Sequence, residues 1–586
     1  MSRFRLQRRP LADASGLPAE LPPLLRRLYA SRGVRSGHEL ERSIQALLHP
    51  NQLLHSQQAA ALLADALERE QALVVIGDFD ADGATSTALC MLALRAMGAR
   101  NLQFLVPNRF AYGYGLSPAI VADAIALGAE MIITVDSGIS CHAGVAAAKA
   151  AGLQVVITDH HLPGATLPAA DAIVNPNQPG CPFPSKVLAG VGVAFYVMSA
   201  LRAELRQRGY FAARQLAEPQ MAAWLDLVAL GTVADVVQLD AHNRLLVHQG
   251  LARIRAGRCR PGISALVQVA KRQQATLTAT DLGFSLGPRL NAAGRLDDMS
   301  LGIRLLLCDD ADQALELAAE LDDLNRERRE IEQGMQQEAL ASLQQLTLDE
   351  QNLPTGICLF QPDWHQGVIG ILAGRIKERY HRPCIIFACG SDDDELKGSA
   401  RSIDGLHLRD LLEWINSQNP GLIRKFGGHA MAAGLTISRD DFTRFAHCFA
   451  EAAEQQLAAE MRQGVIWSDG ELASHELSSD NAQLLRDAGP WGQGFAEPLF
   501  DGEFELLTQR IVGSNHLKLQ LADSSGQQFD AIAFNVDLKL WPNPELKRIH
   551  IAYQLDLNHF RGVTSLQLRV SRLWPAGQVP GLHGTL

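Results

Sequence analysis

Asp78, Asp80 and Asp82 alternate along Gly77-Asp78-Phe79-Asp80-Ala81-Asp82-Gly83, directly after the apolar run Val74-Val75-Ile76. Two more apolar runs end in similar chemistry. Met131-Ile132-Ile133-Thr134-Val135 leads into Asp136, and Val155-Val156-Ile157-Thr158 leads into Asp159-His160-His161. Carboxylates gathered without partners repel one another and raise each other's pKa. A bound divalent cation relieves that, and a donor set rich in oxygen with few nitrogens suits Mg²⁺ or Mn²⁺. Any one of these Asp residues taken alone reads more simply as a helix N-cap or a turn residue. Repetition at three strand ends favours the metal reading. The Asp-x-Asp-x-Asp-Gly run also imitates an EF-hand loop, but its twelfth position is Leu89 rather than Glu, and a strand rather than a helix precedes it.

The elements that must position these residues are legible in outline. Short apolar runs followed by helical patterns read as buried strands of a parallel sheet, where ligands sit beyond the carboxyl ends. Asp80, Asp82, Asp136, Asp159, His160 and His161 are therefore expected along one sheet edge. Residues 1–50 look helical and are expected to pack on the catalytic domain at 51–309, where strands and helices alternate as in a doubly wound α/β domain. Pro163 to Pro184 is a proline-rich excursion after the histidine pair, read equally as a pocket-shaping loop or a rigid structural one. Leu317, Leu321, Leu324, Ile331 and Met335 recur at helical spacing, predicting one connecting helix across 310–350. Its charged stretch Asp322 to Glu332 is expected to be a solvated face. A second α/β unit follows at 351–455, with Cys384-Ile385-Ile386-Phe387-Ala388 as one strand. In 456–586, Leu517 to Leu521, Ile549 to Leu557 and Leu566 to Val570 alternate apolar with polar, the period of half-buried antiparallel strands in a small β-barrel.

Composition narrows the class. A chain of 586 residues should hold several domains. Apolar residues at 47% and charged residues at 20% fit an ordinary soluble protein. Nine scattered cysteines without a C-x-x-C pair suggest neither zinc nor disulfides and fit a reducing cytoplasm. The four arginines of Met1 to Pro10 lead into no signal-type apolar core. The longest stretch free of both charge and histidine, Val187 to Leu201, is too short to span a membrane and reads as a buried helix. A net charge of −11 argues against indiscriminate DNA coating, so any nucleic-acid path must be local. No G-x-x-x-x-G-K-[ST] run occurs, so no nucleotide-driven motor is indicated. Nothing signals homo-oligomerisation, and a monomer is expected.

Taken together, the run from Gly77 to Gly83, the isolated Asp136, Asp159-His160-His161 and Gly231-Thr232-Val233-Ala234-Asp235-Val236-Val237 resemble the four motifs of the DHH phosphoesterase superfamily. Within it, the chain is most similar to the RecJ family of single-strand-specific 5′→3′ DNA exonucleases. That resemblance also takes in Leu286 to Arg295, Trp364 to Gly370, Gly398 to Ser402 and Phe426 to His429, and covers roughly residues 50 to 580. It implies a DHH domain and a DHHA1 domain, two α/β lobes joined by the long helix, and an OB-fold as the terminal barrel.

The resemblance also assigns roles. Two ions, Mn²⁺ or Mg²⁺, would be held with Asp80 on one, Asp82, His160 and Asp235 on the other, and Asp136 bridging. Asp78 and Asp159 would be ligands or would orient them. His161 would contact the scissile phosphate or assist the leaving group, its plainer reading being a structural histidine. Arg109, Ser399 and Arg401 would take the 5′-phosphate, and Arg289 and His429 phosphates nearer the scissile bond. Lys518, Arg561, Arg569 and Arg572 would line a single strand on the barrel, or else form its ordinary solvent face. The partners implied are single-stranded DNA, a single-strand-binding protein and a RecQ-type helicase. The implied activity is metal-dependent digestion to mononucleotides in DNA repair and recombination. A DHH phosphodiesterase for short oligoribonucleotides or cyclic dinucleotides is the alternative, and a scaffold stripped of its ligands a weaker one.

Overall fold

The computed structural model describes residues 4–108, 115–346, 353–390, 392, 394–560 and 562–582, apart from the side chains of 344–346, 459–460 and 559–560. The chain divides into two compact units. One comprises residues 11–325 with 484–497. The other comprises 1–10, 326–483 and 498–586.

Phe4–Arg8 departs from the helical segment expected at the N-terminus. Strand β1 (Phe4–Arg8) pairs in parallel with a strand at Gly464–Ser468, inside the second unit. Its side chains explain this: Leu6 is fully buried against Ala552 and Val579, Gln7 is exposed, and Arg8 pairs with the buried Asp501 at 2.7 Å. Helix α1 (Pro23–Ser31) and three short 3₁₀ turns follow, and these lie in the first unit.

Helix α2 (Ser56–Glu68) feeds a five-stranded parallel sheet of β2 (Leu73–Ile76), β3 (Leu102–Leu105), β4 (Met131–Val135), β5 (Gln154–Thr158) and β6 (Ala172–Val174). Its order, β3-β2-β4-β5-β6, puts the three strands that lead into the acidic segments side by side. All four residues of β2 and all five of β4 are buried, as continuous apolar runs in a two-sided sheet require. Val74, Ile76, Ile132, Val155 and Ile157 form one apolar layer of this core. Helix α3 (Ala81–Ala96), α4 (Gly190–Gln207) and α5 (Leu225–Ala234) are packed together; the long uncharged stretch forms most of the buried part of α4. A π-helical turn at Leu282–Leu286 runs into α6 (Gly287–Leu296).

Helix α7 (Ala311–Leu346) is continuous, as its apolar spacing predicts. Its charged stretch is only partly the solvated face expected. Arg326, Glu327, Arg329 and Glu330 are exposed, but Asn325, Arg328 and Glu332 are buried. Glu332 accepts from Arg328 and, at 2.9 Å, from Arg375 Nε, so the buried charge is paired.

The second unit contains a five-stranded mixed sheet of β7 (Ile357–Phe360), β8 (Cys384–Cys389), β9 (Glu395–Arg401), β10 (Lys425–Gly428) and β11 (Ala432–Ser438), ordered β10-β11-β9-β8-β7. Helix α8 (Ile369–Tyr380) lies between β7 and β8 in sequence. After β12, the Gly464–Ser468 partner of β1, come β13 (Phe500–Val512), β14 (His516–Ala522), β15 (Gln528–Ala533), β16 (Arg548–Phe560) and β17 (Val563–Pro575). They close a barrel in the order β13-β14-β15-β17-β16. Closure leaves none of these strands with an open edge.

Candidate metal centre

Asp78 and Asp80 follow β2, and Asp82 lies in the first turn of α3. Asp80 is also the N-cap of that helix, accepting from Gly83 N at 3.0 Å, so the plainer reading of this residue and the metal reading coexist. Asp136 follows β4 in the left-handed region at φ 58°, a conformation uncommon for non-glycine residues although Asp adopts it more readily than most. Space for its side chain depends on a glycine: a Cβ on Gly190 would lie 2.6 Å from Asp136 Oδ1. Asp235 comes from the end of α5 rather than from a strand.

These segments converge on His160. Its Nε2 lies 3.1 Å from Asp136 Oδ1, 3.5 Å from Asp235 Oδ2 and 3.9 Å from Asp82 Oδ2. Among the described residues, potential ligand atoms lie within 4.8 Å of one another in each of three sets: Asp78, Asp80 and Asp136; Asp82, His160 and Asp235; and Asp136, His160 and His161. His160 is hydrogen-bonded to the Leu188 backbone, yet its buried Nε2 makes no hydrogen bond. Burial, and then the neighbouring His161, lowers its pKa to about 4, which leaves a neutral imidazole. A neutral nitrogen facing three carboxylates is a ligand set for a hard cation, not an ion pair.

The carboxylates carry the matching signature. Burial first, and then Asp80, pushes Asp82 up to about 7, even though Gly190 N and Val191 N donate to its oxygens at 2.7 and 2.9 Å. Asp136 and Asp235 are raised by burial and by Asp82 in the same way. Asp159 behaves oppositely. Burial would raise it, but the hydrogen bond from His161 and the charge of that ring outweigh this and lower it. Its oxygens accept from Ile139 N at 2.9 Å, His160 N at 2.7 Å and His161 Nδ1 at 2.8 Å. Asn175 and Asn177 then pin the histidine carbonyls, at 2.9 Å to His161 O and 2.6 Å to His160 O.

Three family models match: the N-terminal domain of the DHH family over residues 72–232, the DHHA1 domain over 353–455 and the RecJ OB domain over 468–572. The single-stranded-DNA-specific exonuclease RecJ of Dickeya dadantii (strain 3937) is 60% identical over 97% of this chain and 99% of its own length. That of Escherichia coli (strain K12) is 57% identical over 98% and 99%. The chain belongs to the RecJ family. Among solved structures, RecJ from Thermus thermophilus in complex with Mn²⁺ matches with a TM-score of 0.79 at 30% identity. That match covers 98% of this chain and 79% of the other.

The family's proposed phosphate contacts fall in both units. Arg289, in the unit of the metal centre, is buried; its Nε donates to Asp322 Oδ1 at 2.8 Å and its Nη1 to Ser285 O at 2.5 Å. In the other unit, Ser399 and Arg401 share one side of β9, with Arg401 Nη1 donating to Ser399 Oγ at 3.2 Å. Both meet the start of α8. A Cβ on Gly370 would lie 2.9 Å from Arg401 Nη2 and 3.0 Å from Ser399 Oγ. His429 joins them through the sheet, its N–H donating to Ala432 O at 2.8 Å while Ala432 pairs with Arg401. Arg109 and Arg561 lie outside the described residues.

On the barrel, Lys518, Ile532, Arg569 and Gln554 form one row across β14, β15, β17 and β16. Lys518 Nζ pairs with Asp530 at 3.1 Å, and Arg569 Nη2 donates to Gln554 at 2.6 Å. Arg572 stands apart from that row. Its guanidinium lies 5.1 Å over the ring of Phe4, so it contributes to seating β1. Sequence reasoning missed the supports: Gly190, Asn175, Asn177, Asp322 and also Asn291, whose Oδ1 accepts from Ala81 N at 2.8 Å. Asn291 lay within a family motif, whereas Asn175 and Asn177 lay in the proline-rich excursion, Gly190 in the long uncharged stretch and Asp322 at the start of the charged one.

Proposed function

We propose that the protein is a metal-dependent exonuclease that degrades single-stranded DNA from its 5′ end to mononucleotides, in DNA repair and recombination. The observation that carries this is the oxygen-rich cluster around the unprotonated His160 Nε2, with its carboxylates raised by burial and by one another. Asp78 and Asp80 would hold one divalent ion, Asp82, His160 and Asp235 a second, and Asp136 both. Mn²⁺ or Mg²⁺ bound there supplies a nucleophilic water and charge neutralisation for in-line attack on a phosphodiester.

The chain's own groups do the rest. Asp159 fixes His161 through Nδ1, leaving Nε2 to hold a proton toward the departing oxygen or the scissile phosphate. Burial would lower the His161 pKa, but the Asp159 hydrogen bond outweighs it and raises it, favouring the protonated ring. Asp159 is thus a positioning residue. Ser399 and Arg401 are suited to a terminal phosphate, since a guanidinium fork beside a hydroxyl and a helix start favours one. Arg109 would join them, with Arg289 and His429 nearer the scissile bond. Lys518 and Arg569, with Arg561, would receive the strand on the barrel. We place the monomeric enzyme in the cytoplasm, acting on strands exposed by a RecQ-type helicase and covered by a single-strand-binding protein.

The test is digestion of matched 5′- and 3′-labelled single strands, a duplex, an RNA dinucleotide and a cyclic dinucleotide, with Mn²⁺. Early release of a 5′-labelled mononucleotide, with the 3′ label lost last and the duplex intact, is expected. Preferential cleavage of the dinucleotides would move the protein to the oligoribonucleotide or cyclic-dinucleotide branch.

A further inference from the structure

Among the large apolar side chains that the unit of the metal centre leaves in solvent are Phe284, at 78% exposure, and Val236, at 63%. Single exposed hydrophobes are common and need no explanation. The position of these two does call for one. Val236 follows Asp235 directly and sits at φ 62°, a left-handed conformation that a β-branched residue rarely adopts. Phe284 lies in the π-helical turn Leu282–Leu286, and π turns are concentrated at functional sites.

That turn is clamped to the segment that delivers Asp235. A Cβ on Gly283 would lie 3.2 Å from Val233 Cγ1, and one on Gly287 3.1 Å from Ala234 Cβ. Its continuation, α6, is tied to the acidic run after β2. Asn291 accepts from Ala81 N at 2.8 Å, and a Cβ on Gly294 would overlap the Phe79 carbonyl oxygen at 1.8 Å. The scaffold of Phe284 is therefore fixed to two of the segments that converge on His160, while the ring itself remains free to meet something else.

The geometry points to Phe284 as a platform on which a nucleobase stacks beside the phosphodiester held at the metal centre. This deepens the exonuclease reading and rests on it. A phosphodiester at the cluster brings the bases on either side of it to the cluster's rim, so the occupant is the substrate strand itself. Every base has a π-face, so stacking grips a strand without reading its sequence, as complete digestion requires. The platform is a substrate-positioning device, and its effect belongs in KM rather than in the chemical step.

The experiment uses the full-length enzyme, its Phe284→Ala and Phe284→Trp variants, and Ile125→Ala as a control at another exposed apolar position (46% exposed). Thymine strands carrying one abasic nucleotide at successive positions are digested with Mn²⁺. In parallel, 2-aminopurine at the same positions reports stacking by quenching, with Ca²⁺ in place of Mn²⁺ to hold the strand uncut. In the unmodified enzyme, an abasic nucleotide at one position should raise KM about tenfold. Phe284→Ala should raise KM about tenfold on intact strands and add nothing on that abasic strand. It should also abolish quenching at that position. Phe284→Trp should restore both, and Ile125→Ala should change neither. An equal loss on intact and abasic strands, or no loss at all, would overturn the platform and leave this surface to a protein partner instead. Failure of the unmodified enzyme to cut any strand would remove the exonuclease reading and the platform with it.

Discussion

Both units bury carboxylates to zero exposure, and two of them, Asp82 beside the metal centre and Asp501 in the barrel, are driven in opposite directions by their environments. Around Asp501 stand donors: His550 Nε2 at 3.0 Å, Arg8 Nη2 at 2.7 Å and Ser468 Oγ. Burial would raise its pKa, but these bonds outweigh that and hold it at about 2. Around Asp82 stand further carboxylates, and it rises to about 7. The first arrangement is complete in itself and locks the N-terminal strand to the C-terminal barrel. The second is balanced only when a cation is supplied. Buried charge by itself therefore marks neither a lock nor a site. What distinguishes them is whether the protein provides the counter-charge.

The largest effect should come from breaking each arrangement at its centre. Asp136→Ala removes the proposed shared ligand, and initial rates at saturating Mn²⁺ should fall at least about a thousandfold. The chelated protein should meanwhile become no less stable, since one repelling carboxylate is gone. Asp501→Ala should do the reverse, destabilising its unit by on the order of 3 kcal/mol in a denaturant titration because His550 and Arg8 lose their partner. Substantial activity in chelated Asp136→Ala protein would end the two-ion reading. Unchanged stability in Asp501→Ala would end the lock.

The two carboxylates should also leave opposite marks on stability against pH. Asp501 is depressed in the folded state, so its contribution is present above the ordinary value of 3.8 and is lost as pH falls toward about 2. Asp82 is raised, so its contribution is present below 3.8 and is lost as pH rises through about 7. Thermal melts of chelated protein should show a loss of a few kcal/mol between pH 4 and 8. Asp82→Asn should shrink that loss, and Mn²⁺ should reverse it. A chelated protein equally stable across that range would show that the carboxylates are not frustrated.

The metal centre was the more legible of the two regions. Asp78, Asp80, Asp82, Asp136, Asp159, His160 and His161 follow strand-like runs in sequence, and strand order alone brings those segments together. Asp235 was reachable only through the family motif, because it ends a helix and no strand marks it. The Asp501 lock left no readable trace. Arg8, Ser468, Asp501 and His550 are far apart in sequence, and each is an ordinary residue until the fold assembles them. The N-terminal strand was misread for the same reason: a five-residue element has too little periodicity of its own, and its partner lies at Gly464–Ser468. The buried Arg328 and Glu332 of α7 were equally hidden, since a charge pattern shows a polar face but not what covers it.

The smallest expected effect concerns the barrel's cations, which resemble Asp501 more than Asp82 because each already has a local contact. Lys518 and Arg569 lie in one cross-strand row with Ile532 between them, and both remain partly exposed. A phosphate backbone can draw them from their pairings with Asp530 and Gln554, because exposed pairs of this kind are weak. Each phosphate neutralised on a single strand contributes about 0.7 to the slope of log affinity against log salt. Combined Lys518→Ala and Arg569→Ala substitution should therefore flatten that slope by about 1.4, with little change at the metal centre. Arg572→Ala should leave the slope unaltered, because its guanidinium is committed to Phe4. Binding of a fluorescent single strand across a salt series distinguishes the outcomes. An unchanged slope in the double variant would return Lys518 and Arg569 to the ordinary solvent face of the barrel. A flattened slope in Arg572→Ala would instead place the strand across the β1 side.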